Sequence, residues 1–86
     1  MEIIWDPLKE AKLRKERGID LDEIRGLIED QRYIEILENP TRLDQVLILL
    51  VYKNHMHVVV VKVAGSCLII KTCYPSRKFE RQRKDL

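Results

Sequence analysis

Two stretches of this chain, Val46-Leu47-Ile48-Leu49-Leu50-Val51 and Val58-Val59-Val60-Val61, are apolar at every position. In an extended strand, neighbouring side chains point to opposite faces, so an antiparallel sheet with one wet face alternates apolar and polar residues. Neither stretch alternates. Both are far too short to span a bilayer as a helix. They read as the middle of a sheet whose two faces both need cover, in a chain of only 86 residues. That length makes one domain with a single small core. Two short helices and a terminal one can cover one face and part of the other. The rest is expected to be covered by a partner chain, a second copy or a folded-back terminus.

Around these strands the other elements follow from local signals. Glu2-Ile3-Ile4-Trp5 is a short strand. Asp6 caps a helix that Pro7 opens with its fixed φ and Gly18 closes as the C′ residue. Asp20 caps a second helix, with Glu23 three residues on as in a capping box. Leu21, Ile24, Leu27 and Ile28 put its apolar stripe on one face. From Tyr33 the period becomes two: Tyr33 to Leu37 is a strand, and Asn39-Pro40-Thr41-Arg42 is a loop. Val46 to Tyr52 and Met56 to Val63 are joined tightly at Lys53-Asn54-His55. Ala64-Gly65-Ser66 leads to a last strand, Cys67 to Tyr74. Pro75 ends it, and Ser76 caps a terminal helix from Arg77. The expected architecture is α+β, in the order β-α-α-β-β-β-β-α, with an antiparallel meander.

Charge divides the chain more sharply than its net of +2 implies. Ile19 to Asn39 holds seven acids and two bases, a net of −5, whereas Lys71 to Leu86 holds six bases and two acids, a net of +4. Faces of opposite sign suit a site that steers an anion to one side. Cys67 and Cys73 lie six apart in one strand, so strict alternation places both on one face. A disulfide between them would have to span roughly 20 Å of extended chain. Two reduced thiols in a cytoplasmic protein are expected instead. No CxxC or third ligand points to zinc, no signal peptide is read at the N-terminus, and neither a metal, a cofactor nor a membrane is called for.

The last strand ends in Lys71-Thr72-Cys73-Tyr74-Pro75-Ser76-Arg77-Lys78. Amines and guanidiniums at a sheet rim, beside a phenol and a cationic helix, suit a phosphodiester backbone. Taken in order with the rest of the chain, these residues resemble a known family. Ile4-Trp5-Asp6-Pro7 with Lys9, then Lys15-Glu16-Arg17-Gly18-Ile19, is similar to the opening "WD-x-x-K … K-x-[HR]-G-[IV]" of BrnT-like toxins. Asp22-Glu23-Ile24 follows at the second helix, and Glu38-Asn39-Pro40-Thr41-Arg42 resembles a loop of that group. Ile69-Ile70-Lys71-Thr72 with Pro75-Ser76-Arg77-Lys78 resembles the closing "I-[RK]-x-x-x-x-S-x-[RK]". The chain has Arg17 where the family has His before its first Gly, and Lys71 where it has Arg.

The resemblance implies a small RelE-like fold and a toxin that cleaves messenger RNA and inhibits translation. It also implies a cognate antitoxin, commonly of ribbon-helix-helix type, which holds the toxin inactive and represses the operon with it. Without that antitoxin the chain is expected to self-associate, for example as a homodimer. Metal-independent RNA cleavage needs a base for the 2′-hydroxyl proton, an acid for the 5′ oxygen and cations for the phosphorane charge. Arg77 and Lys71 are the candidates for that charge, Tyr74 for stacking or proton relay, and Glu80 for the base. His57 is a further candidate base, because imidazoles titrate near neutral pH. Arg42, Lys78 and Arg81, with Lys15 and Arg17 of the first helix, are candidates for flanking phosphates.

Each has a plainer reading. Tyr74 fits a half-buried strand tyrosine, the basic residues fit solvated helix faces, and His55 with His57 fits a turn histidine beside a strand histidine. Two other functions compete with the ribonuclease: a non-catalytic interaction module of the same fold that binds an antitoxin and co-represses its operon, and a plain RNA-binding domain. An imidazole or carboxylate within reach of Arg77 favours catalysis, and cations alone favour binding.

Overall fold

The two apolar stretches form the centre of a five-stranded sheet in a computed structural model of the protein, which describes residues 1–84 and the side chains of 1–82. The elements run β1 (Glu2–Trp5), α1 (Pro7–Arg17), α2 (Leu21–Glu29), β2 (Glu35–Glu38), β3 (Gln45–Tyr52), β4 (His55–Ala64), β5 (Cys67–Pro75) and α3 (Arg77–Lys84). This is the α+β architecture and element order that the sequence predicts. Strands β2 to β5 are the antiparallel meander, and β1 adds in parallel at the free edge of β5, giving the order β1-β5-β4-β3-β2. The sheet is therefore mixed. Arg83 and Lys84 contribute only their helical backbone here, and Asp85 and Leu86 of the basic tail lie outside the described residues.

Capping chemistry sets the helices. Asp6 accepts the Leu8 N–H at 2.8 Å, and Gly18, at φ 64°, donates its N–H back to the Arg14 carbonyl at 3.1 Å. Asp20 accepts the Asp22 N–H at 2.9 Å. The capping box expected from Glu23 is not closed. The Asp20 N–H donates instead to the Tyr52 hydroxyl at 3.1 Å, because the sheet brings a buried phenol to the place a glutamate side chain would have to reach. The second strand also starts two residues later than its periodicity predicts. Gln31 is left-handed at φ 57°, and Arg32 donates its N–H to the Leu27 carbonyl, so the end of α2 consumes the residues before Ile34.

Helices α1 and α2 lie on one face of the sheet and α3 on the other. Leu13, Ile19, Leu21, Ile24 and Ile28 pack on Ile48, Leu50, Tyr52, Val59, Val61, Ile70 and Cys73. On the opposite face Leu49, Met56, Val58 and Val60 form a smaller cluster with half-buried Leu37, Leu47, Val51, Tyr74 and Phe79. The unbroken apolar runs are explained by this double cover. It is thinner on the α3 side, as a single short helix must leave it.

Strand β5 carries one irregularity. Val60 pairs with Thr72 but Val61 pairs with Ile70, so Lys71 is an extra residue bulged from the ladder. The bulge shifts alternation by one. Ile70 and Cys73, three apart, share the α1/α2 face. Cys67 therefore points to the opposite face from Cys73, against the strict alternation read from the sequence. Both cysteines are free thiols. Burial pushes the Cys73 thiol up to about 12, with the Arg17 guanidinium pulling more weakly the other way.

Candidate nucleic-acid interface

The basic end of the chain folds against the β3–β4 hairpin. Pro75 stops the last strand, and Ser76 caps α3, its hydroxyl accepting the Phe79 N–H at 3.3 Å. Two tethers then seat the helix on β4. The Ser76 N–H donates to the Met56 carbonyl at 2.9 Å, and the Met56 N–H donates to Glu80 Oε2 at 2.6 Å. Glu80 is thus engaged where α3 meets the sheet. Phe79 turns its ring into the cluster around Val58.

The hairpin is fixed from its other side. Lys53 and Asn54 both have positive φ, 52° and 68°, as a two-residue turn matching strand twist requires. The Lys53 amine donates to the Gly18 carbonyl at 3.0 Å and sits 5.3 Å from the Tyr52 ring centroid. Buried Tyr52 anchors the same turn to the start of α2. His55 follows directly, closing the hairpin opposite Tyr52.

Between hairpin and helix lies an open cleft of about 500 Å³, lined by His55, Met56, Pro75, Ser76, Arg77, Glu80 and Arg81. Arg77 and Arg81 are four apart, so they rise from one face of α3. Among the described residues neither is held in a salt bridge. The cleft therefore gathers two exposed guanidiniums, an exposed imidazole and a carboxylate at one end of the sheet. Guanidiniums present planar forks of donors that match phosphate oxygens, and an imidazole accepts or releases a proton near neutral pH.

Of the ten residues singled out from the sequence, the fold brings Arg77, Glu80 and Arg81 together. The others lie apart from the cleft. Lys71 is exposed on its bulge, level with Val60 and Val61, roughly 10 Å up the sheet from His57 at 3.3 Å per residue. Tyr74 is half-buried against the α3-side cluster. His57 is 6% exposed on the α1/α2 face, its ring edge-on to Tyr52 at 5.3 Å and its Nδ1–H donating to the His55 carbonyl at 2.9 Å. Arg42 is exposed in the loop before β3, and that eight-residue strand separates it from the hairpin by roughly 23 Å. Lys78 is exposed, its amine 5.5 Å from the Phe79 ring centroid. On α1, Lys15 is exposed, while Arg17 donates to the Cys73 carbonyl at 2.8 Å, on the stretch of β5 that β1 does not reach.

His55 is the member of the cleft that the sequence reading left as a turn residue. The i, i+2 spacing drew attention to the pair, but alternation alone does not tell which imidazole is buried. The signal that does is the Lys53-Asn54 turn. It makes His55 the first strand residue, at the rim, and leaves His57 one step inside.

At the far end of the sheet, an apolar groove of about 780 Å³ runs between α2 and β2 over Ile3, Ile28, Ile36, Val46, Ile48 and Val63, with Glu29 and Gln31 at its edge. Ile36 and Val63 are 50% and 46% exposed there. Among the described residues no cluster of three or more His, Cys, Asp or Glu is placed to hold a metal ion, and no helix is long and apolar enough to cross a membrane. What the fold and cleft define is a small α+β protein with a cationic site at one end of a mixed sheet. No protein-family model matches the chain, and neither does any curated protein.

Proposed function

We propose that the protein is a RelE-like, BrnT-like toxin: a metal-independent endoribonuclease that cleaves messenger RNA and inhibits translation. The observation that carries this reading is the cleft, where Arg77 and Arg81 lie beside a group able to move protons. Cations alone would hold an RNA backbone. The exposed imidazole of His55 beside them is what cleavage adds. Arg77 and Arg81 hold the phosphate at the reacting centre and its neighbour. Exposed Lys78, next to Arg77 on α3, extends the path for the strand.

A cognate antitoxin, of the ribbon-helix-helix type usual for that family, neutralises the toxin in this proposal. The half-covered α3 face and the open apolar groove support the need for a partner, since soluble monomers seldom leave large apolar patches bare. A second reading, a non-catalytic module that binds its antitoxin and co-represses the operon, draws support from Glu80, whose carboxylate is spent on the Met56 N–H.

Induced expression of the chain alone tests the proposal. Translation is expected to stop, and Arg77→Ala is expected to restore it, with the antitoxin restoring it in the wild type. Normal growth under strong expression of soluble wild-type protein would contradict toxicity.

A further inference from the structure

The geometry points to His55 as the catalytic base of the cleft, the group that takes the proton from the attacking 2′-hydroxyl; this assignment rests on the ribonuclease reading above. Four observations carry it. His55 lines the same cleft as Arg77 and Arg81, and it is exposed to whatever binds there. Its backbone is held on both sides, by the Lys53–Gly18 bond before it and by the Met56–Glu80 and Ser76–Met56 bonds after it. Glu80, the carboxylate of the cleft, is committed to the Met56 N–H at 2.6 Å and so positions the helix. His57, the other imidazole, is buried against Tyr52, with its Nδ1–H given to the His55 carbonyl, and does not line the cleft.

Among the described residues that line the cleft with His55, the charged ones are Arg77, Glu80 and Arg81, all from α3. Lys53, on its own hairpin, is turned away to Gly18. In the step assigned, neutral His55 accepts the 2′-hydroxyl proton as the 2′ oxygen bonds to phosphorus. The P–O5′ bond breaks, and the 5′ oxygen takes its proton from water. The products are a 2′,3′-cyclic phosphate and a 5′-hydroxyl. Arg77 holds the charge on the phosphorane oxygens and Arg81 the neighbouring phosphate, and no oxidant, metal or further reactant enters the balance.

The test is cleavage of a short single-stranded RNA by the purified full chain, beside binding of the same RNA carrying 2′-deoxy sugars, which cannot react. General acid–base groups contribute about 10²–10⁴-fold to rate. His55→Ala and His55→Gln are expected to slow cleavage at least 100-fold, leave binding of the deoxy strand within about threefold, and abolish the acidic limb of the wild-type pH–rate profile. Because His55 is exposed, both variants should keep the wild-type circular dichroism spectrum. Variants that cleave within threefold of wild type, or that keep the acidic limb, overturn the assignment and leave the ribonuclease reading standing. A wild-type chain that binds the RNA but never cleaves it overturns both and favours the binding module.

Discussion

The two faces of the central sheet differ in how they are finished. Under α1 and α2, Leu21, Ile24, Leu50 and Val59 are fully buried, and the polar groups that reach this side are bonded: the Tyr52 hydroxyl to Asp20, Arg17 to Cys73 and His57 to His55. Under α3, four buried residues are ringed by half-buried ones, and the helix is seated by two backbone tethers and one phenylalanine. Its cations stay in solvent. The first face holds the fold together, and the second carries exposed arginines on a lightly fastened helix. A small chain divides these tasks because α3 cannot both bury its length and display Arg77 and Arg81.

Truncation of the well-covered face should have the largest effect. Leu50→Ala is expected to cost about 2–5 kcal/mol in denaturant unfolding, since a fully buried side chain leaves a cavity that rigid neighbours cannot fill. Leu47→Ala, three residues away on the same strand but half-buried on the α3 side, should cost clearly less. Equal losses would erase the contrast between the faces.

Glu80→Gln comes next. It keeps the shape but removes the charge from the bond to the Met56 N–H, and charge-assisted bonds contribute about 1.5–3 kcal/mol against about 1 for neutral ones. A loss of roughly 1 kcal/mol is expected, together with faster hydrogen exchange at the Met56 amide. Unchanged exchange there would mean that Glu80 does not fasten the helix.

The pH dependence set by Cys73 should be smaller still and appear in base. The folded Cys73 thiol is pushed up to about 12 from an ordinary 9.0. The unfolded thiol therefore ionises first, and above pH 9 the unfolded state is favoured increasingly until about pH 12. Stability lost by pH 10 should be on the order of 1 kcal/mol. Cys73→Ala should flatten that slope, and a slope unchanged by the substitution would place its origin elsewhere.

Much of this architecture was legible in the residues. Asp6-Pro7, Gly18 and Asp20 announced two helices, Lys53-Asn54-His55 a tight connection that the structure shortens to Lys53-Asn54, and Pro75-Ser76 the start of the last helix. Each is a local rule that tertiary packing had no reason to override. What escaped depended on distant partners. The parallel docking of β1 on β5 has no mark in Glu2–Trp5 itself. The bulge at Lys71 is set by the register between β4 and β5, and it moved Cys73 to the other face. Asp20 found Tyr52 rather than Glu23 because of a residue 32 positions away. Of the site candidates named at the basic end of the chain, the cleft gathers Arg77, Glu80 and Arg81. The residues alone gave no way to see that folding would spread Lys71, Tyr74 and His57 over other surfaces and bring His55 to the rim.

The central claim, that the α3 end of the molecule is a phosphate-binding site distinct from the core, is tested most directly by RNA affinity against salt. The ligand is a non-cleavable single strand, and the proteins are the wild type and the Arg77→Ala/Arg81→Ala double variant. Each phosphate neutralised on a single strand adds about 0.7 to the slope of log K against log salt. The double variant is expected to bind more weakly, to lose about 1.4 from that slope, and to unfold at the wild-type denaturant midpoint. An unchanged slope would place the RNA elsewhere on the protein, and a shifted midpoint would make these arginines part of the scaffold.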